Sequence, residues 1–460
     1  MTMGFSPVQR LLSRLFLLAG LAVLLVQPVA AQTVLRDAET EQLFADMSQP
    51  LIEAAGMRPG DVEIVLINDP SINAFVAGGQ RVFIHSGLIT AAANANEVQG
   101  VIAHELGHVE GGHAVRMADG MGEAGGISLL SLLAGAVAIA AGAPEAGMAI
   151  LSAGSRAALG RLLAFSRVQE SSADLAGARY LQAAGISGRG SLAFFRRLQN
   201  LEYRLAIPQD DSYDRTHPLS GERIRILREM YEADAAWDAP TDPALEARFQ
   251  RVRAKLFGYI AEPEQTLIAY PESDTSVAAR YARAYAWHKR AYPDRALAAA
   301  DSLLEGAPGD PYFLELRGQI LLESGRPEEA LPALRQAAAA SRNHPLIATL
   351  LGHALIATED DANHEEARQV LRTAVQRDNR NPFAWYQLGI VYAEEGDQPR
   401  AQLASAERFN LQGQSRLALS HARQAMLGIP EGSPDWVRAQ DIAMVAEAEV
   451  ERNGGRRGRN

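Results

Sequence analysis

His104-Glu105-Leu106-Gly107-His108 constrains this chain more than any other stretch. Two histidines four residues apart can serve one ion only on a helix, which brings positions i and i+4 to one face, one turn apart. Both imidazoles then reach a zinc ion at about 2.0–2.1 Å. Glu105 points toward the same cavity and can take a proton from water that the ion activates. A zinc peptidase uses this arrangement.

A catalytic zinc takes three protein ligands and keeps one position for water. A histidine ten residues after His104 would be one route to the third ligand, but that position is Ala114. His113 is a near miss. Five residues past His108, it lies roughly 140° around the helix, off the ligand face, and reads as a surface or helix-end histidine. The second route is a glutamate from a later helix. Glu170 fits, in Ser166-Arg167-Val168-Gln169-Glu170-Ser171-Ser172-Ala173-Asp174. Asp174, one turn on, can accept a hydrogen bond from the free nitrogen of a ligand histidine and fix its tautomer. An exposed acidic helix face would have the same spacing.

Around the pentad the chain alternates short strands and helices. Residues 37–55 have helical spacing. Residues 61–68, 72–77 and 81–85 read as strands, the last two joined by Gly78-Gly79, a hairpin signal. Residues 97–111 form the helix that carries the pentad. Residues 166–184 form another, and 241–260 a closing helix. Residues 261–275, rich in Pro, Asp, Glu and Thr, read as a linker.

Residues 120–165 differ. Ile127 to Ala141 is apolar and uncharged, and Ala146 to Phe165 carries only Arg156 and Arg161. Each run is shorter than the ~20 residues a membrane-spanning helix needs. A helical hairpin buried against the catalytic core, a lid, and a surface dipping into a membrane are all open readings. A membrane-embedded peptidase would need longer spans.

The N-terminus resembles a secretion signal: Arg10 and Arg14, an apolar run from Leu15 to Val26, then Val29-Ala30-Ala31. Cleavage after Ala31 predicts a periplasmic protein. The net charge of −11 becomes −13 once the two leader arginines are removed. An acidic chain argues against nucleic-acid binding. With no cysteine, disulfides, thiolate ligands and a cysteine nucleophile are excluded.

Residues 276–445 carry a repeat. Pro311, Pro345 and Pro382 each open a helical pattern, spaced by 34 and 37 residues. A period of 34 is that of the tetratricopeptide repeat (TPR), a helix–turn–helix unit whose stacked copies leave a concave face for partners. A plain alanine-rich helical domain is the competing reading. Residues 446–460 read as a disordered basic tail.

These residues together resemble the peptidase-48 family of zinc metallopeptidases, in particular secreted bacterial members that join the peptidase to tetratricopeptide repeats. The resemblance rests on Asn73-Ala74-Phe75 with Gly78-Gly79, Gly87-Leu88-Ile89, the pentad, Ser166-Arg167…Glu170…Ala173-Asp174, Thr216-His217-Pro218-Leu219 and the repeats. It implies that the chain is mostly α: an α+β, gluzincin-like peptidase domain with a small sheet over residues 32–260, then an α-helical TPR solenoid. It implies that His104, His108 and Glu170 bind one Zn2+, with Glu105 as general base and Asp174 behind the ligands. His217 would approach the zinc, capping its open position or stabilising the oxyanion, with Arg223 assisting. Asn73, Ala74 and Phe75 would lie on an edge strand that pairs with extended substrate.

The function expected is an exported zinc endopeptidase acting on misfolded or stalled envelope proteins and supporting outer-membrane protein assembly. The repeats would dock the assembly machinery, with peripheral membrane contact possible. The alternative is mainly a chaperone or scaffold whose zinc site is latent under His217.

Overall fold

The computed structural model describes residues 33–140, 144–205, 217 and 221–457. The expected leader lies outside them, as do Thr216, Pro218 and Leu219 around His217.

The N-terminal half runs β1 (Thr33–Leu35), α1 (Ala38–Ala54), β2 (Glu63–Asn68), β3 (Ala74–Ala77), β4 (Arg81–His85), α2 (Ser86–Ala91), α3 (Ala95–Glu110), α4 (His113–Ala140), α5 (Pro144–Ala183), α6 (Arg189–Leu205), α7 (Gly221–Glu232) and α8 (Pro243–Ile260). The sheet order is β1-β2-β4-β3. β3 and β4 form the expected hairpin, antiparallel with Phe75 opposite Phe83. Gly78 (φ 60°) and Gly79 (φ 93°) supply its turn, a backbone that side chains with a Cβ resist. β1 was not anticipated, since three residues show no alternation to read.

α3 begins at Asn94, whose side chain accepts from the Glu97 amide. Every residue from Ala95 to His108 is buried, so the helix runs through the core. Glycines let its neighbours approach: a Cβ on Gly107 would sit 2.7 Å from the Ala173 carbonyl oxygen, and one on Gly177 3.0 Å from the same atom of Ala103. Helices α3 and α5 therefore touch backbone to backbone where the ligands sit.

The hairpin is not buried. α4 and α5 pack on each other, with Gly154 against Ser131, yet Leu129, Leu130, Leu132 and Leu133 are 55–69 % exposed. The reading of a hairpin packed into the catalytic core is corrected. Nor does a helix start near Ser166: α5 is continuous for 40 residues. Met148–Ala183 is long and apolar enough to cross a membrane by length and composition, which corrects the expectation of short runs. Its far end, however, carries Glu170 and Asp174 in the protein interior.

The C-terminal half is a solenoid of paired helices: α9 (Pro263–Ala269), α10 (Val277–Lys289), α11 (Pro293–Gly306), α12 (Pro311–Glu323), α13 (Pro327–Ala340), α14 (Pro345–Ala357), α15 (His364–Arg377), α16 (Pro382–Glu394), α17 (Gln398–Leu411), α18 (Ser415–Gly428) and α19 (Pro434–Arg457). Pro311, Pro345 and Pro382 each take the first helical position, where the missing N–H costs nothing. In the first two of these pairs a glycine faces a leucine across the pair: Gly318 meets Leu334 and Gly352 meets Leu371. The expected linker holds α9, with Thr266 fully buried. The expected tail is helical to Arg457, and Ala446 belongs to the last repeat's core.

The halves interlock. Ala38 joins the core of α12 to α17. Glu39, 2 % exposed, meets Arg251, Lys255 and the Tyr281 hydroxyl. Arg380 pairs with Glu63, and Arg36 with Asp378. The start of α1 thus packs against the solenoid. A cavity of about 420 Å³ remains beside it, lined by Leu35, Lys255, Tyr285, Glu315 and Phe383.

Candidate metal and catalytic site

Four donors converge. His104 and His108 come from α3, Glu170 from α5, and His217 from the segment before α7; all are buried. His104 Nε2 lies 3.1 Å from His108 Nε2, 3.3 Å from His217 Nδ1 and 3.4 Å from Glu170 Oε2. His108 Nε2 is 3.3 Å from Glu170 Oε1, and His217 Nδ1 is 3.1 Å from both Glu170 oxygens. A tetrahedron with zinc–nitrogen arms has edges of about 3.3 Å. The donor set therefore has the size and chemistry of a four-coordinate zinc site: nitrogen lone pairs and one carboxylate, facing a common centre.

Electrostatics agree. Burial pushes the Glu170 carboxyl up, but His217's charge and hydrogen bonds from His104, His108 and His217 hold it well below the usual carboxylate range. Burial pulls the His104 imidazole down, yet Asp174 and Glu170 outweigh it and leave it raised to about 10. Burial lowers His108, with Glu170 opposing. An ionised carboxylate buried among imidazoles attracts a cation, whether proton or metal.

Glu105 is fully buried, and neither carboxylate oxygen makes a hydrogen bond among the described residues. Its Oε1 lies 3.5 Å from His217 Nε2. An orphaned buried carboxylate is costly, and one beside a metal locus suits a base that awaits water.

The supporting groups depart partly from expectation. Asp174 sits behind His104 as anticipated, its Oδ1 3.0 Å from His104 Nδ1. Arg223 reaches two of these carboxylates. Its Nε and Nη2 donate to Asp174 at 2.6 and 2.9 Å, and Nη2 is 3.2 Å from Glu170 Oε2. It thus pairs with the carboxylate behind His104 and with that of Glu170. His113 is not among the four convergent donors; the helix breaks before it, so the expected angle does not apply, and it is buried, Nδ1 to Nδ1 at 2.9 Å from His108. Sequence reasoning missed this contact. The Gly111-Gly112 pair before it, which turns the chain back, was the available signal.

Ala74 opens β3 at the sheet edge, and its carbonyl accepts from His217 Nε2 at 3.2 Å. Asn73 is buried, and Phe75 stacks on Phe83 with ring centroids 5.2 Å apart. Of the three expected substrate residues, Ala74 touches the donor cluster, through His217.

Residues 36–231 match the model of Peptidase family M48. The chain is 24 % identical to the beta-barrel assembly-enhancing protease of Yersinia pestis, over 95 % of this chain and 92 % of that one. It is 24 % identical to the protein of that name from Escherichia coli (strain K12), over 88 % and 82 %. Metalloprotease LoiP of the same strain is 32 % identical over 38 % of this chain and 65 % of its own.

Proposed function

We propose that this chain, whose residues 36–231 match the model of Peptidase family M48, is an exported zinc endopeptidase that removes misfolded or stalled envelope proteins and supports outer-membrane protein assembly. The observation that carries the reading is the four-donor cluster beside the buried Glu105 carboxylate, which makes no hydrogen bond among the described residues. The two relatives named for beta-barrel assembly, matched along nearly their whole length, support the setting. The leader read from the sequence supports export to the periplasm.

His104, His108 and Glu170 would hold the ion, and His217 would occupy its fourth position in a resting state. When bound, zinc would polarise the scissile carbonyl and acidify water. Extended substrate would add to the free edge of β3, which requires unpaired backbone and so selects unfolded segments. Glu105 would accept the proton of the attacking water and pass it to the leaving amine. Asp174, held by Arg223, would keep His104 in the tautomer that presents Nε2. The solenoid would present clients or dock assembly components on the surface that α1 leaves open.

Purified mature protein should hold one zinc per chain. Glu105→Gln should keep that zinc and lose casein cleavage by about 10³-fold or more. Cleavage by Glu105→Gln at the wild-type rate rejects the proposed base, and a wild-type protein without zinc rejects the whole reading.

A further inference from the structure

We propose that His113 is a positioning residue for the metal site: its Nδ1 accepts the Nδ1 proton of His108 and so fixes His108 with Nε2 bare toward the ion. This rests on the zinc reading above and extends the metal-holding machinery to a histidine outside the ligand set.

His108 turns Nε2 into the donor cluster. A neutral imidazole with that nitrogen bare carries its proton on Nδ1. The group facing that proton is His113 Nδ1, 2.9 Å away, with the rings at 78° and centroids 4.9 Å apart. His113 Nδ1 must then be bare and its own proton sits on Nε2, where the Ser172 hydroxyl lies at 3.3 Å. Each ring carries one proton and each N–H has an acceptor. No other assignment with His108 Nε2 bare satisfies the 2.9 Å contact.

The backbone is built around this contact. Gly112 at φ 61° turns the chain out of α3 so that His113 starts α4. A Cβ on Gly111 would fall 2.3 Å from His113 Nε2, so only glycine leaves the ring its place. The two ligand histidines are therefore backed differently. His104 has an anion, Asp174, itself neutralised by Arg223. His108 has a neutral ring that adds no charge to a site already holding Glu170, Glu105 and Asp174. Ser172 lies two residues past Glu170 on α5, so the chain His108–His113–Ser172 ties the ligands of α3 to the base of the exposed hairpin.

The test uses full-length mature protein. Zinc content of the wild type is measured first, then zinc release to a competing chelator for wild type, His113→Phe, His113→Asn and Ser172→Ala. His113→Phe keeps a ring without an acceptor and should release zinc roughly 10- to 100-fold faster. His113→Asn restores an acceptor oxygen and should recover most of the loss, and melting of the zinc-free forms should be alike. Nitrogen-15 spectra of the wild-type histidine rings should place the His113 proton on Nε2, a readout independent of any variant's folding. Equal release by wild type and His113→Phe, or a protonated Nδ1 on His113, overturns the assignment while leaving the peptidase reading intact. A wild type without zinc overturns both.

Discussion

His217 Nε2 lies 3.2 Å from the carbonyl oxygen of Ala74, while Nδ1 of the same ring stands among the metal donors. In the proposed resting state one imidazole would thus occupy two places a substrate needs: a position on the ion and the first acceptor of the edge strand.

His217→Ala should therefore free both places. Casein cleavage should rise several-fold at unchanged zinc content, measured as initial rates on metal-quantified protein. If the variant keeps its zinc and is slower than wild type, the ring acts in the reaction and does not cap it.

Gly107 is the contact through which α3 and α5 share backbone space. In Gly107→Ala the new methyl would meet Ala173 at 2.7–2.8 Å, so the helices must part and carry Glu170 and Asp174 away from the histidines. Overpacking of this kind costs about 1–3 kcal/mol. Melting should drop accordingly and zinc should be held at least about tenfold less tightly. Gly122→Ala, on α4 with nothing within 4 Å, is the control and should be neutral or stabilising by up to about 1 kcal/mol. Matching behaviour of the two variants would contradict the packing argument.

Arg223→Met would bury the Asp174 carboxylate without its bidentate partner. Breaking a buried pair costs roughly 3–5 kcal/mol, so the protein should melt earlier and release zinc faster. Arg223→Lys keeps the charge but not the fork and should fall between. A fall in kcat with melting and zinc affinity both intact would return Arg223 to the reacting groups.

Glu315 lines the cavity between the halves. Burial pushes its carboxyl up to about 8, with Lys255 opposing and Asp37, Glu39 and Glu41 reinforcing. In the unfolded chain it titrates near 4.5, the ordinary value. Between these values the folded state holds a proton that the unfolded state has lost. Stability from this group is thus full below about pH 4.5 and declines as pH rises toward about 8, by at most about 1.4 kcal/mol per pH unit. Glu315→Gln should flatten that decline and melt later than wild type at pH 8. Parallel pH–melting curves for the two proteins would refute it.

Much of the site could be read along the chain. His104 and His108 announce themselves because helical geometry converts a four-residue spacing into a shared face, and the prolines spaced by 34 and 37 residues announce the solenoid because each repeat begins on the same helix-start chemistry. Glu170 was reachable only through the company of Asp174 and the surrounding motif, since an i,i+4 carboxylate pair looks the same on a solvated helix.

What the chain determines by itself is local: which residues can chelate, which segments are helical, where glycines must bend or thin the backbone. What tertiary structure decided is who faces whom. It turned Arg223 onto Asp174, brought His113 behind His108, lifted the apolar hairpin into the open and set Ala38 into the repeats. Those outcomes depend on the distance of approach between helices far apart in sequence, which periodicity does not encode and backbone contact at Gly107 and Gly177 does.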